Sequence, residues 1–330
     1  MSKIYLSQLD ERNYLTALKA FAVLSIVSAH SGYVSANTYE LNIVFSWILN
    51  QFGSIGVGIF FIISGYLFYK NKYSIDAFFK KKLNTIFIPW ILTGTMVYLY
   101  VTLRKSEVTI EGLLNFLSGN GSYLYYLTLL VVFYLVFFFT SKNNIFVLSI
   151  LMLSCLSILL TAMGFFNEIN PFLNPFNFAW YFCLGLFIAS NNLLMKVAEI
   201  CSKYKYFFLV IYILLLIIIK TFNLSSGYWG ISSLVIQPIS IALIFGLANF
   251  SFVYNKNFLI LGKESFSIYL LHMPAAGLIA FIFNIYNLWL LTLLRPFIVI
   301  VITLILIYLY KYLDDKFNVS KFTNGLIGVR

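Results

Sequence analysis

Charge is what this chain has least of. Only 10% of its 330 residues are Asp, Glu, Lys or Arg, against about 25% in an ordinary soluble domain. Acidic groups are the scarcer half, 11 against 22 basic ones. Histidines number two, cysteines three and prolines six. The cysteines, Cys155, Cys183 and Cys201, lie in or beside apolar runs at unrelated spacings, so neither a disulfide framework nor a metal site follows from them. So little charge excludes a secreted soluble protein, a nucleic-acid binder and a disordered chain.

What is there is apolar. Hydrophobic residues make up 61% of the sequence, about two hundred positions, and include 35 Phe and 24 Tyr. A membrane-spanning helix uses roughly 20 apolar residues, so this is enough for about ten spans. The composition predicts an all-α, polytopic transmembrane helical bundle forming a single integral membrane domain over 1–330. Apolar windows bounded by charge, Asn or Gly place spans near 14–33, 43–69, 84–103, 122–140, 145–165, 175–190, 206–222, 229–249, 265–284 and 288–311. The sixth is short, and Pro274 is expected to kink the ninth. The first window reads as a retained span, not a cleaved leader, because many more follow it.

The net charge of +11 falls almost entirely at helix ends. Seventeen of the 22 Lys and Arg lie in the termini and alternate connections, and only Arg104 and Lys105 in the opposite set. This asymmetry predicts that both termini are cytoplasmic. Trp47, Trp180, Trp229 and Trp289 fall near the opposite ends, as interfacial tryptophans do.

Few polar groups remain at membrane depth: His30, His272, Arg295 and several hydroxyls. No Asp or Glu sits mid-span, which counts against a proton-coupled transporter, since these usually carry such a group. His30 follows Lys19 by eleven residues. Eleven steps on a helix come to three turns plus about 20°, so both side chains share one stripe, roughly 16 Å apart along the axis. A cation near the inner surface below a deeper imidazole could hold an anionic donor and present its reactive end to a base. Equally, Lys19 could be a topological cation and His30 a hydrogen-bonded packing residue.

The second histidine belongs to GKESFSIYLLHMP, residues 262–274, where Ser265, Tyr269 and His272 fall within about 60° of one another on a helix. A hydroxyl beside an imidazole can fix its tautomer or relay a proton, although a polar stripe joining two helices has the same spacing. GSIGVGIFFIISGYLF, residues 53–68, brings four glycines and Ser64; it lacks the lysine of a phosphate loop and reads best as close helix packing. Lys80, Lys81 and Lys82 suit either topology and lipid headgroups or the phosphates of a soluble donor. Arg295, just before Pro296, faces either an anionic carrier group or, by snorkelling, the interface.

These segments together resemble the acyltransferase-3 family of integral membrane acyltransferases. YLTALKAFAVLSIVSAHS resembles the family's basic residue, ten residues, then histidine. GVGIFFIISGYLF, FFKKKLNTIFIPW, WYFCLGLFI and SFSIYLLH are similar to later family stretches, in the same order over nearly the whole chain. The sequence departs from the pattern in having Lys19 for the commoner arginine, Thr16 where many members are acidic, and Asn84 and Thr85 where a second arginine is frequent.

The resemblance implies an enzyme of about ten helices that moves an acyl group, commonly acetyl from acetyl-CoA, to a hydroxyl of a surface glycan or its lipid-linked precursor in a bacterial-type inner membrane. Lys19 and His30 match its first motif and His272 the late one. On this expectation His30, His272, Tyr269 and Ser265 carry the chemistry, Lys19, Lys80, Lys81 and Lys82 bind acetyl-CoA, and Arg295 and Ser64 face the acceptor. The partners are acyl-CoA, the sugar acceptor and membrane lipid, with no metal and no nucleic acid. Other classes that fit the composition are a transporter or flippase of a lipid-linked glycan and a non-enzymatic scaffold.

Overall fold

The computed structural model describes residues 10–31, 40–71, 74–103, 108–141, 143–166, 168–224, 228, 230, 232–285 and 289–317. Lys3, Lys72, Arg104, Lys105, Lys142, Lys321, Arg330 and Trp229 lie outside them. The described residues are helical, with no strand among them. In chain order the helices are α1 (Glu11–Ser31), α2 (Glu40–Tyr69), α3 (Ile75–Lys82), α4 (Ile88–Thr102), α5 (Ile110–Ser118), α6 (Tyr125–Phe138), α7 (Asn144–Ala162), α8 (Phe176–Ser190), α9 (Leu194–Lys203), α10 (Lys205–Thr221), α11 (Ser233–Leu247), α12 (Lys256–Lys263), α13 (Ser265–Ile285) and α14 (Trp289–Phe317). A π turn, Leu83–Phe87, joins α3 to α4, and a 3-10 turn, Ser251–Tyr254, precedes α12.

Each predicted apolar segment lands on a helix. Length decides which of these can cross a bilayer unaided. Among the described residues four stretches are long and apolar enough: Ile43–Tyr69, Asp76–Thr102, Asn144–Ala162 and Thr292–Asp314. A fifth qualifies if α8 and α9, bent by 109° at their junction, count as one broken span. Others are shorter: α6 has 14 residues and α11 has 15. At 1.5 Å per residue they rise about 21–23 Å, against a hydrocarbon core of about 30 Å.

The chain forms two compact units. The first comprises Met1–Ala22, Ser54–Asn71 and Leu129–Lys263. In lipid, where tails are as apolar as leucine, helices associate through close packing and small residues, not through water exclusion. The glycines of α2 do this here. A Cβ on Gly65 would stand 2.2 Å from the Phe182 carbonyl oxygen of α8, and one on Gly185 would stand 2.1 Å from that of Ile62. Two backbones therefore touch through a reciprocal pair of glycines. Aromatic rings fill the space beside them, with Phe182 lying 5.3 Å from Phe133 and 5.2 Å from Phe137. Asn143 caps α7, its side chain accepting from the Ile145 and Phe146 amides, so two of the orphan donors of that helix end are satisfied. The Ser154 hydroxyl of α7 donates to the Phe176 carbonyl, tying α7 to α8.

The second unit comprises Val23–Gly53, Lys72–Thr128 and Glu264–Arg330. Here Gly53 of α2 meets Ala29 of α1, where a Cβ would come within 2.1 Å of the alanine Cβ. The Ser25 hydroxyl donates to the Phe52 carbonyl beside it. Helix α13 packs along α14 and against α4, and Glu264 pairs with Lys311 at 2.8 Å near the start of α13. Prolines 274 and 296 sit inside helices that continue through them. Neither proline can donate to the carbonyl four residues back, and at Pro274 this places a bare carbonyl at Leu270.

Candidate active site

The second unit brings the two histidines together. His272 of α13 is fully buried, and its ring centroid lies 5.1 Å from that of His30, near the end of α1, with the planes tilted by 47°. His30 keeps an exposed ring. Tyr123 stands edge-on to His272 at 5.2 Å and 79°, and Tyr269 lies 6.0 Å away.

Hydrogen bonding sets the protonation pattern of the neutral His272 ring. Nδ1 lies 2.6 Å from the Tyr269 carbonyl oxygen. A carbonyl only accepts, so Nδ1 carries the proton and donates, leaving Nε2 as a lone-pair acceptor. That Nε2 is buried and has no hydrogen-bond partner among the described residues. A buried acceptor without a donor is costly, and the imidazole beside it is that of His30.

The serine, tyrosine and histidine of α13 are placed as follows. The Tyr269 hydroxyl donates to the Tyr123 carbonyl, so it is the Tyr269 backbone, not its hydroxyl, that sets the imidazole. The Nδ1–H of neutral His272 is thus held by a carbonyl and the Tyr269 hydroxyl by another. Ser265 is buried, but seven residues of helix put it about 10 Å below His272 along the axis, beyond hydrogen-bond reach.

The basic residues fall elsewhere. Lys80 and Lys81 are exposed in the last turn of α3, while Lys82 is half-buried with its ammonium 5.3 Å over the Phe78 ring. The π turn follows at once, a feature frequent at functional sites. Arg295 is half-buried on α14. Lys19 and Ser64, both half-buried, belong to the first unit, Lys19 on α1 and Ser64 on α2. Among the described residues no three His, Cys, Asp or Glu gather as a metal site would require.

Tyr123 is the site residue that sequence reasoning missed. It follows the Gly119–Gly121 turn, whose glycines hold φ of 88° and 78°, and the run GNGS before it reads simply as a loop.

A buried imidazole whose Nδ1 proton is held by a carbonyl thus lies beside a second imidazole on an apolar helical scaffold. The family model described as an acyltransferase domain, acyltransferase-3, matches residues 12–312. The chain belongs to the acyltransferase-3 family and is an acyltransferase. No curated protein and no solved structure matches it.

Proposed function

We propose that the protein is a bacterial inner-membrane O-acyltransferase that moves an acyl group, commonly acetyl, from cytoplasmic acyl-CoA to a hydroxyl of a cell-surface glycan or its lipid-linked precursor. The observation that carries this reading is the bare, buried Nε2 of His272 beside the accessible ring of His30. In the reacting arrangement a ring N–H of His30 would turn toward that lone pair, which orients His30 and leaves its other nitrogen as a base. This nitrogen takes the proton of the acceptor hydroxyl as its oxygen attacks the thioester carbonyl. The C–S bond then breaks, and the departing CoA sulfur receives the proton from the His30 imidazolium. A transient acyl group on His30 is the two-step version of the same route.

Lys80, Lys81 and Lys82 supply charge for the donor phosphates, with Lys19 assisting from α1, while Arg295 and Ser64 serve the acceptor. We take the two compact units as one functional domain, since their segments interleave along the chain. We assign one span to each of the ten apolar segments, and on the charge asymmetry we place both termini in the cytoplasm. Mass analysis of surface glycans with and without the gene tests the reaction. Loss of an acyl substituent is expected, and an unchanged glycan acylation pattern contradicts it.

Two further expectations follow from this layout. Reporter fusions at Arg330 and within 166–174 should report opposite sides of the membrane, and the same side for both overturns the placing of the lysines at the donor face. Replacing Lys80, Lys81 and Lys82 with Gln should raise the acyl-CoA KM more than it lowers kcat, because phosphates are held equally in ground and transition states. An unchanged KM in correctly inserted protein returns the lysines to topology alone.

A further inference from the structure

We propose that Tyr123 is a positioning residue for the reaction, holding His272 in place through the backbone carbonyl that Pro274 leaves without a donor. The proposal rests on the acyl-transfer reading above and adds a residue to it. Pro274 has no N–H for the Leu270 carbonyl four residues earlier. The Tyr123 hydroxyl donates to that oxygen instead, at 2.7 Å. In return the Tyr269 hydroxyl donates to the Tyr123 carbonyl. The segment and α13 are thus joined by a reciprocal pair of hydrogen bonds, one turn of helix from His272, and the Tyr123 ring stands against the imidazole itself.

The chain around Tyr123 is built to deliver it. After α4 the chain doubles back: a Cβ on Gly112 of α5 would lie 2.4 Å from the Tyr98 hydroxyl of α4, and one on Gly94 would lie 2.5 Å from the Leu117 side chain. Tyr98 matches Gly112 and Gly94 matches Leu117, so α5 runs antiparallel along α4. The Tyr98 hydroxyl donates to the Thr109 carbonyl at 2.9 Å, and Thr109 caps α5 by accepting from the Gly112 amide. Ser122 and Thr128 donate to the Phe116 and Ser118 carbonyls at 2.7 and 2.8 Å. These bonds close the turn between α5 and α6 and leave Tyr123 buried.

The pairing of a missing N–H with a tyrosine hydroxyl supplies its own test. Tyr123→Phe keeps the ring and removes the donor; kcat should fall on the order of 10–100-fold, the scale of a small misplacement at a reacting group, with the acyl-CoA KM unchanged. Pro274→Ala restores an N–H to Leu270. In that background Tyr123→Phe should lower kcat by less than about threefold, a coupling of the kind a double-mutant cycle measures. An equal loss in both backgrounds, or no loss in either, overturns the proposal. If Tyr123→Phe alone does not accumulate, Tyr123→Phe/Pro274→Ala must accumulate and transfer, and its failure to do so also overturns it.

A second readout does not depend on activity. The protein has two histidines, so ¹⁵N-histidine labelling with His30→Gln leaves the His272 ring alone in the spectrum. We expect its proton on Nδ1, mixed tautomers in Tyr123→Phe, and recovery in the double variant; a tautomer indifferent to Tyr123 contradicts the positioning role. A wild type that transfers no acyl group, with the His30→Gln series showing this response, would sink the acyl-transfer reading while leaving the Tyr123 device standing.

Discussion

Replacing His30 with Gln is expected to lower acyl transfer by about 10²–10⁴-fold, the usual loss on removing a general base, while expression and thermal stability should barely change. Gln matches the size and hydrogen-bonding capacity of His but cannot take up a proton. Stability is spared because His30 is exposed, so its replacement leaves no cavity in a packed core, and the Gln amide N–H can still turn toward His272 Nε2. If His30 also carries the acyl group, the loss exceeds this range. His272→Gln is expected to be milder: it removes the acceptor that orients His30 and leaves the base itself in place. A kinetic comparison in membranes of matched protein content separates the two.

The second large effect is on folding. Gly65→Leu should destabilise the protein by on the order of 3 kcal/mol or more, at or beyond the upper end of overpacking. The atoms in the way are the Phe182 carbonyl oxygen, 2.2 Å from an added Cβ, and the carbonyl carbon behind it. Neither is the tip of a flexible side chain, so α2 and α8 must part, and the contacts of Phe182 with Phe133 and Phe137 part with them. Gly277→Ala is the control, since nothing lies within 4 Å of its Cβ position and Ala favours a helix over Gly. Thermal unfolding in detergent should place the Gly65 variant far below the wild type and the Gly277 variant at or slightly above it. Equal melting of the two glycine variants would contradict the packing account.

Long apolar windows bounded by charge are hard to misread, and each of the ten predicted segments became a helix. The glycines of residues 53–68 were also readable as packing positions, and the structure puts backbone or ring atoms against Gly53, Gly58 and Gly65. The short helices α5, α9 and α12 escaped notice. At 8–10 residues and with charges in or beside them, they fall below the length at which a span registers. The meeting of His30 with His272 follows from no local pattern, because 242 positions separate them and apolar periodicity does not specify which helices pair. Tyr123 was hidden for a related reason: its partner is a backbone carbonyl on α13, exposed by a proline that the sequence marks only as a kink. The Nδ1 contact of His272 was equally hidden. Helical phase brought a hydroxyl to mind, whereas the nearest acceptor for Nδ1 is the carbonyl three residues back.

The most direct test of the account is acetyl transfer from acetyl-CoA by purified wild-type, His30→Gln and His272→Gln proteins, measured as CoA release coupled to acylated acceptor. The wild type should transfer, His30→Gln should lose at least about 10²-fold and His272→Gln should lose less. His30→Gln retaining most of its activity while His272→Gln loses it would contradict the account, assigning the base to α13.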